Sequence, residues 1–395
     1  MIYLDNNATT QVDPMVFETM KPYFVNEFYN ASSATHSLGL KIKNVVEESR
    51  EEIAEIFKRN PQEIIFTSGS TESINLALKG LFYDQDNKNL ITTSVEHKAV
   101  LDAAYSIERN NAIAIKPNSF GQVTAENIIN NLDQDTKLVS IITTNNEIGT
   151  DNNLNEILNK LPDHVTFHTD ATQTLTHQFE DIAAVGLFNQ RIDMISISAH
   201  KFHGPKGIGL LIVNKKTQEK LFPIIHGGNH ERGLRSGTLN VPGIIGLTEA
   251  LKIQRDLKSP VENLRIEFEN QLMQKLPEEI AYSINGMRPT SPIFKKKYGV
   301  KNEEFSGHPG NLSLTFENIP AISIIAGAPE LAFSTGSACT SATPSPSHVL
   351  QEIGLSLEDS QSTIRISLSR FTSREDIKTA TDMLADAVKD YLERI

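Results

Sequence analysis

Short apolar runs alternate with amphipathic helical stretches from about residue 60 to about residue 250. This alternation is typical of a mostly parallel sheet with helices on both faces. Each apolar run ends beside polar residues, and ligands of open α/β sheets bind at the carboxyl ends of the strands. We therefore expect a binding site along that edge. The predicted strands are Ile64–Thr67, Asn89–Thr92, Leu138–Ile142, Val165–His168, Met194–Ile197 and Ile208–Val213.

Helices are predicted before the sheet, and the pattern changes after it. Met15–Phe24 and Lys41–Phe57 are predicted helices that precede the sheet. A charged helix at about residues 250–262 opens the second region. There, the expected elements are half-buried strands at Leu312–Phe316 and Thr363–Leu368 and a final amphipathic helix at Asp376–Ile395.

The length of 395 residues exceeds the size at which a single core stops growing, so two domains are expected. We predict a large domain of residues 14–252. Residues 1–13 and 253–395 are predicted to form a smaller α+β domain.

Composition and charge narrow the class of protein. Hydrophobic residues at 39% and charged residues at 22% are ordinary for a globular chain, and no apolar stretch reaches the roughly 18 residues that a membrane span needs. The first residues lack the basic and apolar segments of a secretory signal, so we expect a cytoplasmic protein without membrane contact. A net charge of −12 argues against direct nucleic-acid binding. The histidine spacing and the single cysteine give little support to a metal site.

The segment Thr67–Ser73 follows a predicted strand and precedes the helical run Ile74–Lys79. Amides and hydroxyls at a helix N-terminus favour a phosphate group. Taken alone, the segment is better explained by an ordinary N-cap at Ser70 or Thr71, because such caps are common.

The loop Ser198–Gly207 follows another predicted strand and carries a lysine between two histidines, Ser198-Ala199-His200-Lys201-Phe202-His203. A lysine in a polar cleft can lose its proton and form a Schiff base. Most single lysines are solvated, however, and Lys206 in the same loop is an alternative candidate.

Two further strand ends carry candidate residues. Asp170 precedes Gln173 in an Asp-x-x-Gln pattern, and a carboxylate there can hold a pyridinium nitrogen. A helix N-cap is the competing explanation for Asp170. His97, in Glu96-His97-Lys98, can stack on a ring or carry a proton, or can be an ordinary turn histidine.

The single cysteine of the chain, Cys339, lies in the run Ser334–Ser347, which consists almost wholly of small and turn-forming residues. Structural cysteines are usually buried, whereas this run has no apolar period and predicts a loop. One cysteine cannot form an internal disulfide, which agrees with a reducing compartment. The setting leaves an inert and a reactive thiol about equally supported.

The order of these motifs is more informative than any one of them. The chain resembles the cysteine desulfurases, the NifS/IscS-like group of the class V aminotransferase family, which have the fold-type I pyridoxal phosphate architecture. The resemblance runs from Leu4-Asp5-Asn6-Asn7-Ala8-Thr9-Thr10 through Asn145–Gly149 and Ser337–Ser341 to Ile364–Ser367. It implies a large domain with a mostly parallel seven-stranded sheet and a smaller C-terminal α+β domain.

The resemblance also implies a role for each matching residue. Lys201 would hold pyridoxal 5'-phosphate as a Schiff base, and Cys339 would take the sulfur of L-cysteine as a persulfide and pass it to an acceptor protein. Thr238 would reach the cofactor phosphate of a second subunit, so a homodimer is implied. The other residues would contact the ring (His97, Asp170, Gln173), the phosphate (Ser70, Thr71, Ser198, His200), the cofactor and substrate (Asn146) and the substrate carboxylate (Arg365).

Other functions remain open at this point. A selenocysteine lyase or an aminotransferase shares the fold, although a transaminase would not need Cys339. A non-catalytic partner-binding protein can keep an enzyme fold, since fold does not prove activity. The acceptor can belong to iron-sulfur assembly, tRNA thiolation or DNA phosphorothioation.

Overall fold

The computed structural model describes residues 1–298, 307–336 and 346–394. The strands are β1 (Ile2–Tyr3), β2 (Ile64–Thr67), β3 (Asn89–Thr93), β4 (Asn111–Ile115), β5 (Thr136–Ser140), β6 (Thr166–Asp170), β7 (Met194–Ser198), β8 (Gly209–Val213), β9 (Tyr282–Ile284), β10 (Asn311–Phe316), β11 (Leu331–Ala332), β12 (Ser334–Thr335) and β13 (Thr363–Ser367). The helices are α1 (Pro14–Met20), α2 (Pro22–Val25), α3 (Ser37–Phe57), α4 (Ser70–Phe82), α5 (Lys98–Tyr105), α6 (Ala125–Ile129), α7 (Leu154–Lys160), α8 (Phe179–Ala184), α9 (Lys215–Gln218), α10 (Val241–Asp256), α11 (Val261–Lys275), α12 (Pro292–Tyr298), α13 (Ala321–Gly327), α14 (His348–Glu352), α15 (Leu357–Gln361) and α16 (Arg374–Leu392).

A seven-stranded sheet in the order β2-β8-β7-β6-β5-β3-β4 forms the centre of the first region. β8 is antiparallel to both of its neighbours, and the remaining pairs are parallel. The mostly parallel seven-stranded α/β fold is therefore confirmed. Every residue of β3, β6, β7 and β8 is buried, because both faces of a parallel sheet are covered by helices.

The six strands predicted for this sheet are present, with ends that differ by one or two residues at most places. The remaining strand, β4, was not predicted. The first four residues of Asn111-Ala112-Ile113-Ala114-Ile115 are exposed or half-buried, and the strand lies at the sheet edge next to β3 alone. An edge strand is only half covered and carries a weaker apolar signal.

The second region contains an antiparallel sheet in the order β12-β13-β10-β9, and β1 pairs with β11 beside it. A hydrophobic core separate from those of the large sheet lies here. It joins Leu4 at the start of the chain to Leu314, Ile366 and Leu384 near its end. The N-terminal segment is therefore packed with the C-terminal part of the chain.

Several helix predictions were wrong in their bounds. The helix expected at Met15–Phe24 is two helices, α1 and α2, and the helix expected at Lys41–Phe57 begins at Ser37. The charged helix expected at about residues 250–262 is two helices, since α10 ends at Asp256 and α11 begins at Val261. Pro260 separates them, because the residue before a proline is disfavoured in helical conformation. The helix expected to begin at Ile74 begins at Ser70, so Ser70 and Thr71 lie in its first turn rather than before it.

A buried polar crosslink stiffens the middle of the large sheet. His168 on β6 is hydrogen bonded through Nδ1 to Ser140 Oγ on β5 (2.7 Å) and through Nε2 to Ser196 Oγ on β7 (2.9 Å). Burial lowers the pKa of His168 to about 3, so the ring is neutral. Asp170 follows His168 on the same face of β6, because alternate strand residues share a face.

None of the helices in the described ranges combines the length and the hydrophobicity that a membrane crossing requires.

Candidate active site

A cavity of about 190 Å³ opens at the carboxyl ends of the central strands. This is the edge at which the sequence predicted a site, since parallel strands deliver their following loops to one edge. Its lining includes eight of the predicted site residues, Ser70, Thr71, His97, Asn146, Asp170, Gln173, His200 and Lys201.

A second, more open cavity of about 430 Å³ adjoins the first at the N-terminus of α4. Both cavities have Ser70, Thr71 and His200 in their walls, and Ser198 lines the second. The N-terminal amides of α4 have no partners within the helix, and together with the helix dipole they favour an anion. This arrangement agrees with the predicted phosphate position.

Two glycines allow the first turn of α4 to lie against the sheet. Gly69 caps α4 with a φ of 152°, a conformation that side chains rarely adopt. A Cβ atom on Gly209 would lie 2.6 Å from the Gly69 Cα atom and 2.4 Å from the Ile197 carbonyl oxygen. The N-cap at Ser70 or Thr71 that we considered is therefore wrong, because Gly69 holds that position.

Lys201 lies in a short 3-10 turn directly after β7 and lines the main cavity. Its Nζ donates to the carbonyl oxygens of Asn7 (2.6 Å) and Ala8 (2.8 Å). The alternative lysine, Lys206, is exposed and lines only the second cavity, at the N-terminus of α4. The geometry therefore favours Lys201 for chemistry in the main cavity.

Asp170 and Gln173 are both buried in the wall of this cavity. Asp170 ends β6, and one of its oxygens accepts the backbone N–H of Thr172 at 3.0 Å. Gln173 donates through Nε2 to the Asn7 carbonyl oxygen at 2.9 Å. Its Oε1 is buried without a hydrogen-bond partner among the described residues, so an acceptor is available for a bound donor group.

The two histidines of the cavity are both held in the neutral form. Burial lowers the pKa of His97, although the nearby Asp170 carboxylate opposes this shift. His97 also caps α5, since its Nδ1 accepts the Ala99 N–H at 3.1 Å. Burial, assisted by Lys201, lowers the pKa of His200 to about 4. A neutral imidazole can donate from one nitrogen and accept at the other.

Arg365 lies behind the wall of the main cavity on β13. It is only 1% exposed, and its Nη1 donates to the carbonyl oxygen of the lining residue Asn146 at 3.3 Å. Its Nη2 donates to Asp5 Oδ1 at 2.7 Å. The structure thus brings Arg365 next to the other candidate residues, with Asn146 between them.

Thr238 and Cys339 are the two remaining predicted residues. Thr238 is exposed on the surface and is not part of the lining of either cavity. Cys339 lies outside the described residues. The ends of its segment are described, and Ser347 donates a hydrogen bond to the buried Glu147 carboxylate, directly after Asn146 in the chain.

Sequence reasoning assigned no role to the N-terminal segment. The Asn7 carbonyl oxygen accepts from both Lys201 and Gln173, and Asn7 Nδ2 donates to the Asn146 carbonyl oxygen at 3.1 Å. Backbone carbonyls leave no residue-type signal. The only available sign was that the motif Leu4–Thr10 belongs to the resemblance.

The match to known proteins covers nearly the whole chain. The family model described as aminotransferase class-V matches residues 2–379. This chain belongs to the class-V aminotransferase family. Cysteine desulfurase IscS of Anaeromyxobacter dehalogenans (strain 2CP-C) is 38% identical to it over 99% of this chain and 93% of the relative.

Two similar solved structures agree with this assignment. A NifS-like protein has a TM-score of 0.83 at 31% identity, with 98% of this chain and 99% of that chain covered. SspA, solved in complex with cysteine, has a TM-score of 0.76 at 33% identity, with 94% of this chain and 100% of that chain covered. Within the class-V aminotransferase family, the chain groups with the cysteine desulfurases.

Pyridoxal phosphate is the cofactor of this group, and the cavity is suited to it. The buried Gln173 Oε1 offers an unused acceptor, and Asp170 offers a buried carboxylate for a ring nitrogen. The α4 N-terminus offers hydroxyls and amides for a phosphate group. The donor and acceptor types therefore match the polar groups of the cofactor.

Proposed function

We propose that this protein removes the sulfur atom of L-cysteine, releases L-alanine and carries the sulfur as a persulfide on Cys339. The observation that carries the proposal is the cavity that gathers Lys201, Asp170, Gln173 and His97 at one sheet edge. The likeness to cysteine desulfurases supports it, and so does the cysteine bound to the similar protein SspA.

The cofactor would be held by residues of both cavities. Lys201 would bind its aldehyde carbon, Asp170 its ring nitrogen, Gln173 its ring hydroxyl and His97 the face of its ring. Pyridoxal phosphate, when bound, supplies an electron sink for negative charge at the substrate α-carbon. Its phosphate would be held by Ser70, Thr71, Ser198 and His200.

The remaining steps belong to side chains of this protein. Arg365 and Asn146 would hold the substrate carboxylate, a task that suits the planar guanidinium. Lys201 Nζ would take the α-proton, and the carbonyl oxygens of Asn7 and Ala8 lie where they can stabilise the resulting ammonium. The neutral His97 ring can accept a proton, which would favour the thiolate form of Cys339.

The sulfur transfer is balanced without an external oxidant. The Cys339 thiolate attacks the substrate sulfur, a sulfur–sulfur bond forms and the carbon–sulfur bond of the substrate breaks. The electron pair stays on the substrate β-carbon, which is protonated to become the methyl group of alanine. The carbon is reduced while the transferred sulfur is oxidised.

Partners complete the proposed function. A second copy of the chain would bring its Thr238 to the phosphate, which agrees with the exposed position of Thr238 and the open phosphate-side cavity. An acceptor protein would then take the persulfide sulfur. A reducing cytoplasm suits a single reactive thiol. Residues 14–252 would form the cofactor domain, and residues 1–13 and 253–395 the smaller domain.

Replacing Cys339 by serine tests the proposal. We expect Cys339→Ser to lose the release of sulfide from L-cysteine in the presence of a thiol reductant, because a hydroxyl cannot carry the persulfide. The yellow colour of the bound cofactor should remain, and it provides the control for an intact site. Unchanged sulfide and alanine production by this variant would contradict the role of Cys339.

A further inference from the structure

The guanidinium of Arg365, the candidate clamp for a substrate carboxylate, already has a carboxylate partner in this protein. Arg365 Nη2 donates to Asp5 Oδ1 at 2.7 Å, and Nη1 makes only a long 3.3 Å contact with the Asn146 carbonyl oxygen. Nε is buried and has no partner among the described residues. The guanidinium therefore keeps unused donor capacity beside the Asp5 contact.

A buried charge of this kind needs a permanent partner. Arg365 is 1% exposed, whereas the Asp5 side chain is 22% exposed. An unpaired guanidinium in such a position is strongly destabilising, so Asp5 stabilises Arg365 before any substrate arrives. Glu147 and Tyr3 are further ionisable neighbours of Arg365. Burial raises the pKa of each, and the positive charge of Arg365 opposes that shift.

Asp5 is itself fixed in place from two sides. Its backbone lies against β13, where it forms an isolated parallel bridge with Ser367. Its Oδ1 accepts a second hydrogen bond, from Ser334 Oγ at 3.1 Å. Ser334 is paired with Arg365 across β12 and β13, so the three residues form one connected unit.

We propose that Asp5 is a positioning residue for substrate binding: through one carboxylate oxygen it fixes the Arg365 guanidinium beside Asn146, and it leaves other N–H donors of the guanidinium for the carboxylate of cysteine. This inference rests on the proposed function of Arg365. An arginine and a carboxylate commonly pair through two parallel hydrogen bonds. The contact through one Asp5 oxygen leaves room for a second carboxylate on the same guanidinium.

The test is the steady-state kinetics of the cofactor-loaded enzyme with L-cysteine. Asp5→Ala should raise KM by about tenfold or more, the scale of a lost hydrogen bond to a charged group. Its kcat should stay within about twofold, because Asp5 touches neither the sulfur nor Lys201. Asp5→Asn, whose side-chain oxygen can still accept from Nη2, should lie within about threefold of the wild-type KM.

Two further variants separate positioning from general damage to the fold. Ser334→Ala removes only the bond that holds Asp5 and should raise KM by about threefold. In an Arg365→Ala background, Asp5→Ala should add nothing to KM, because Asp5 acts through Arg365. Retained cofactor colour would show that each variant keeps its site.

Clear results would overturn the inference. An unchanged KM in Asp5→Ala, an equal KM rise in the Arg365→Ala background, or an Asp5→Asn enzyme as impaired as Asp5→Ala would each contradict it. If Asp5→Ala does not fold, an unchanged KM in Ser334→Ala would overturn it. Failure of the proposed function would be seen separately, as absence of sulfide release by the wild-type protein.

Discussion

At the scale of single residues, two buried carboxyl groups are direct chain neighbours of residues that line the cavity. Glu96 directly precedes His97, and Glu147 directly follows Asn146. Burial raises the pKa of both, and for Glu96 the neighbouring Asp170 carboxylate acts in the same direction. Glu96 Oε1 accepts from the Ile142 backbone N–H at 2.7 Å, whereas Oε2 has no partner in the described part of the chain.

Glu96 should therefore make stability depend on pH. A carboxyl group with a higher pKa in the folded state binds its proton more tightly when folded, so its stabilisation is complete below the unfolded pKa of about 4.5. It is lost as the pH rises through the folded pKa. The side chain in Glu96→Gln stays neutral at every pH. The melting temperature of this variant should therefore rise relative to that of the wild type as the pH increases from 5 to 8.

Thermal unfolding of both proteins across this pH range measures the effect. Glu51 on α3 is exposed, and Glu51→Gln provides the control because its carboxyl group is solvated. We expect no pH-dependent difference for that variant. A constant difference in melting temperature between Glu96→Gln and wild type at all pH values would contradict a raised pKa of Glu96.

Three of the candidate residues that the sequence identified share one property, which is a position after a predicted strand. Lys201 and His97 follow β7 and β3, Asp170 ends β6, and the parallel sheet brings these strand ends together. Asp5 and Glu96 act through contacts with residues far away in the chain or through burial. Single-residue patterns carry no record of such contacts, so these two could not be assigned roles from the sequence.

At the scale of elements, the segment 227–238 shows how a strained loop is held. Asn229, Glu231 and Arg232 all have positive φ values, of 55°, 47° and 58°, which cost energy for residues other than glycine. Glu231 forms a two-bond ion pair with Arg50 of α3, at 2.9 and 2.8 Å, with side chains only 2% and 4% exposed.

The same carboxylate also completes the edge of the large sheet. Glu231 Oε2 accepts the Phe66 N–H of β2 at 2.8 Å, and Arg50 and Arg232 donate to the Ile64 carbonyl oxygen. β2 is an edge strand, whose outward backbone groups would otherwise be unpaired. The pair therefore stabilises the loop and the sheet edge together.

Glu231→Ala should destabilise the protein by about 3–5 kcal/mol, the usual result of leaving one member of a buried ion pair alone. Denaturant unfolding measures this loss. The exposed pair Arg109–Asp86, with side chains 75% and 54% exposed, gives a matched control. Asp86→Ala should change stability very little. Equal effects of the two variants would contradict a structural role for the buried pair.

The bounds of an element were predictable where an apolar run ends directly before turn-forming residues. β2 was predicted with its exact bounds, since the apolar run Ile64–Phe66 is followed closely by the turn residues Ser68 and Gly69. The α4 start was missed by four residues, since hydroxyl residues favour caps as often as first turns. The loop 227–238 had a visible glycine pattern, but its ion pair joins residues 181 positions apart, which no local pattern indicates.

At the scale of the whole molecule, exposed apolar side chains lie in a chain segment that is hydrogen bonded to the segment 227–238. Phe24, Val25 and Phe28 lie in the chain segment that leads to Ser32, whose Oγ is hydrogen bonded to His230 Nε2 at 3.0 Å. Exposed apolar patches mark interaction sites. A second copy of the chain on this surface agrees with the proposed use of Thr238 across a dimer.

An ion pair also connects the segment 227–238 to the proposed phosphate position of the same chain. Arg235 Nε donates to Glu72 Oε1 at 2.8 Å, and Glu72 lies directly after Thr71 in the first turn of α4. Thr238, three residues beyond Arg235, remains exposed. In a dimer, the segment 227–238 would therefore contact both phosphate positions.

Mixed dimers test which phosphate Thr238 serves. Lys201→Ala alone cannot hold the cofactor covalently, and Thr238→Glu should exclude the phosphate by placing a negative charge against it. If Thr238 serves the partner's site, a mixed dimer has one site with Lys201 and an unaltered Thr238. Unfolding and refolding the two variants together should thus restore cofactor colour in about half of the sites of the mixed dimers.

If Thr238 served its own chain, every site would contain one defect and the mixture would stay colourless. Refolded wild type is the positive control, and each variant refolded alone is the negative one.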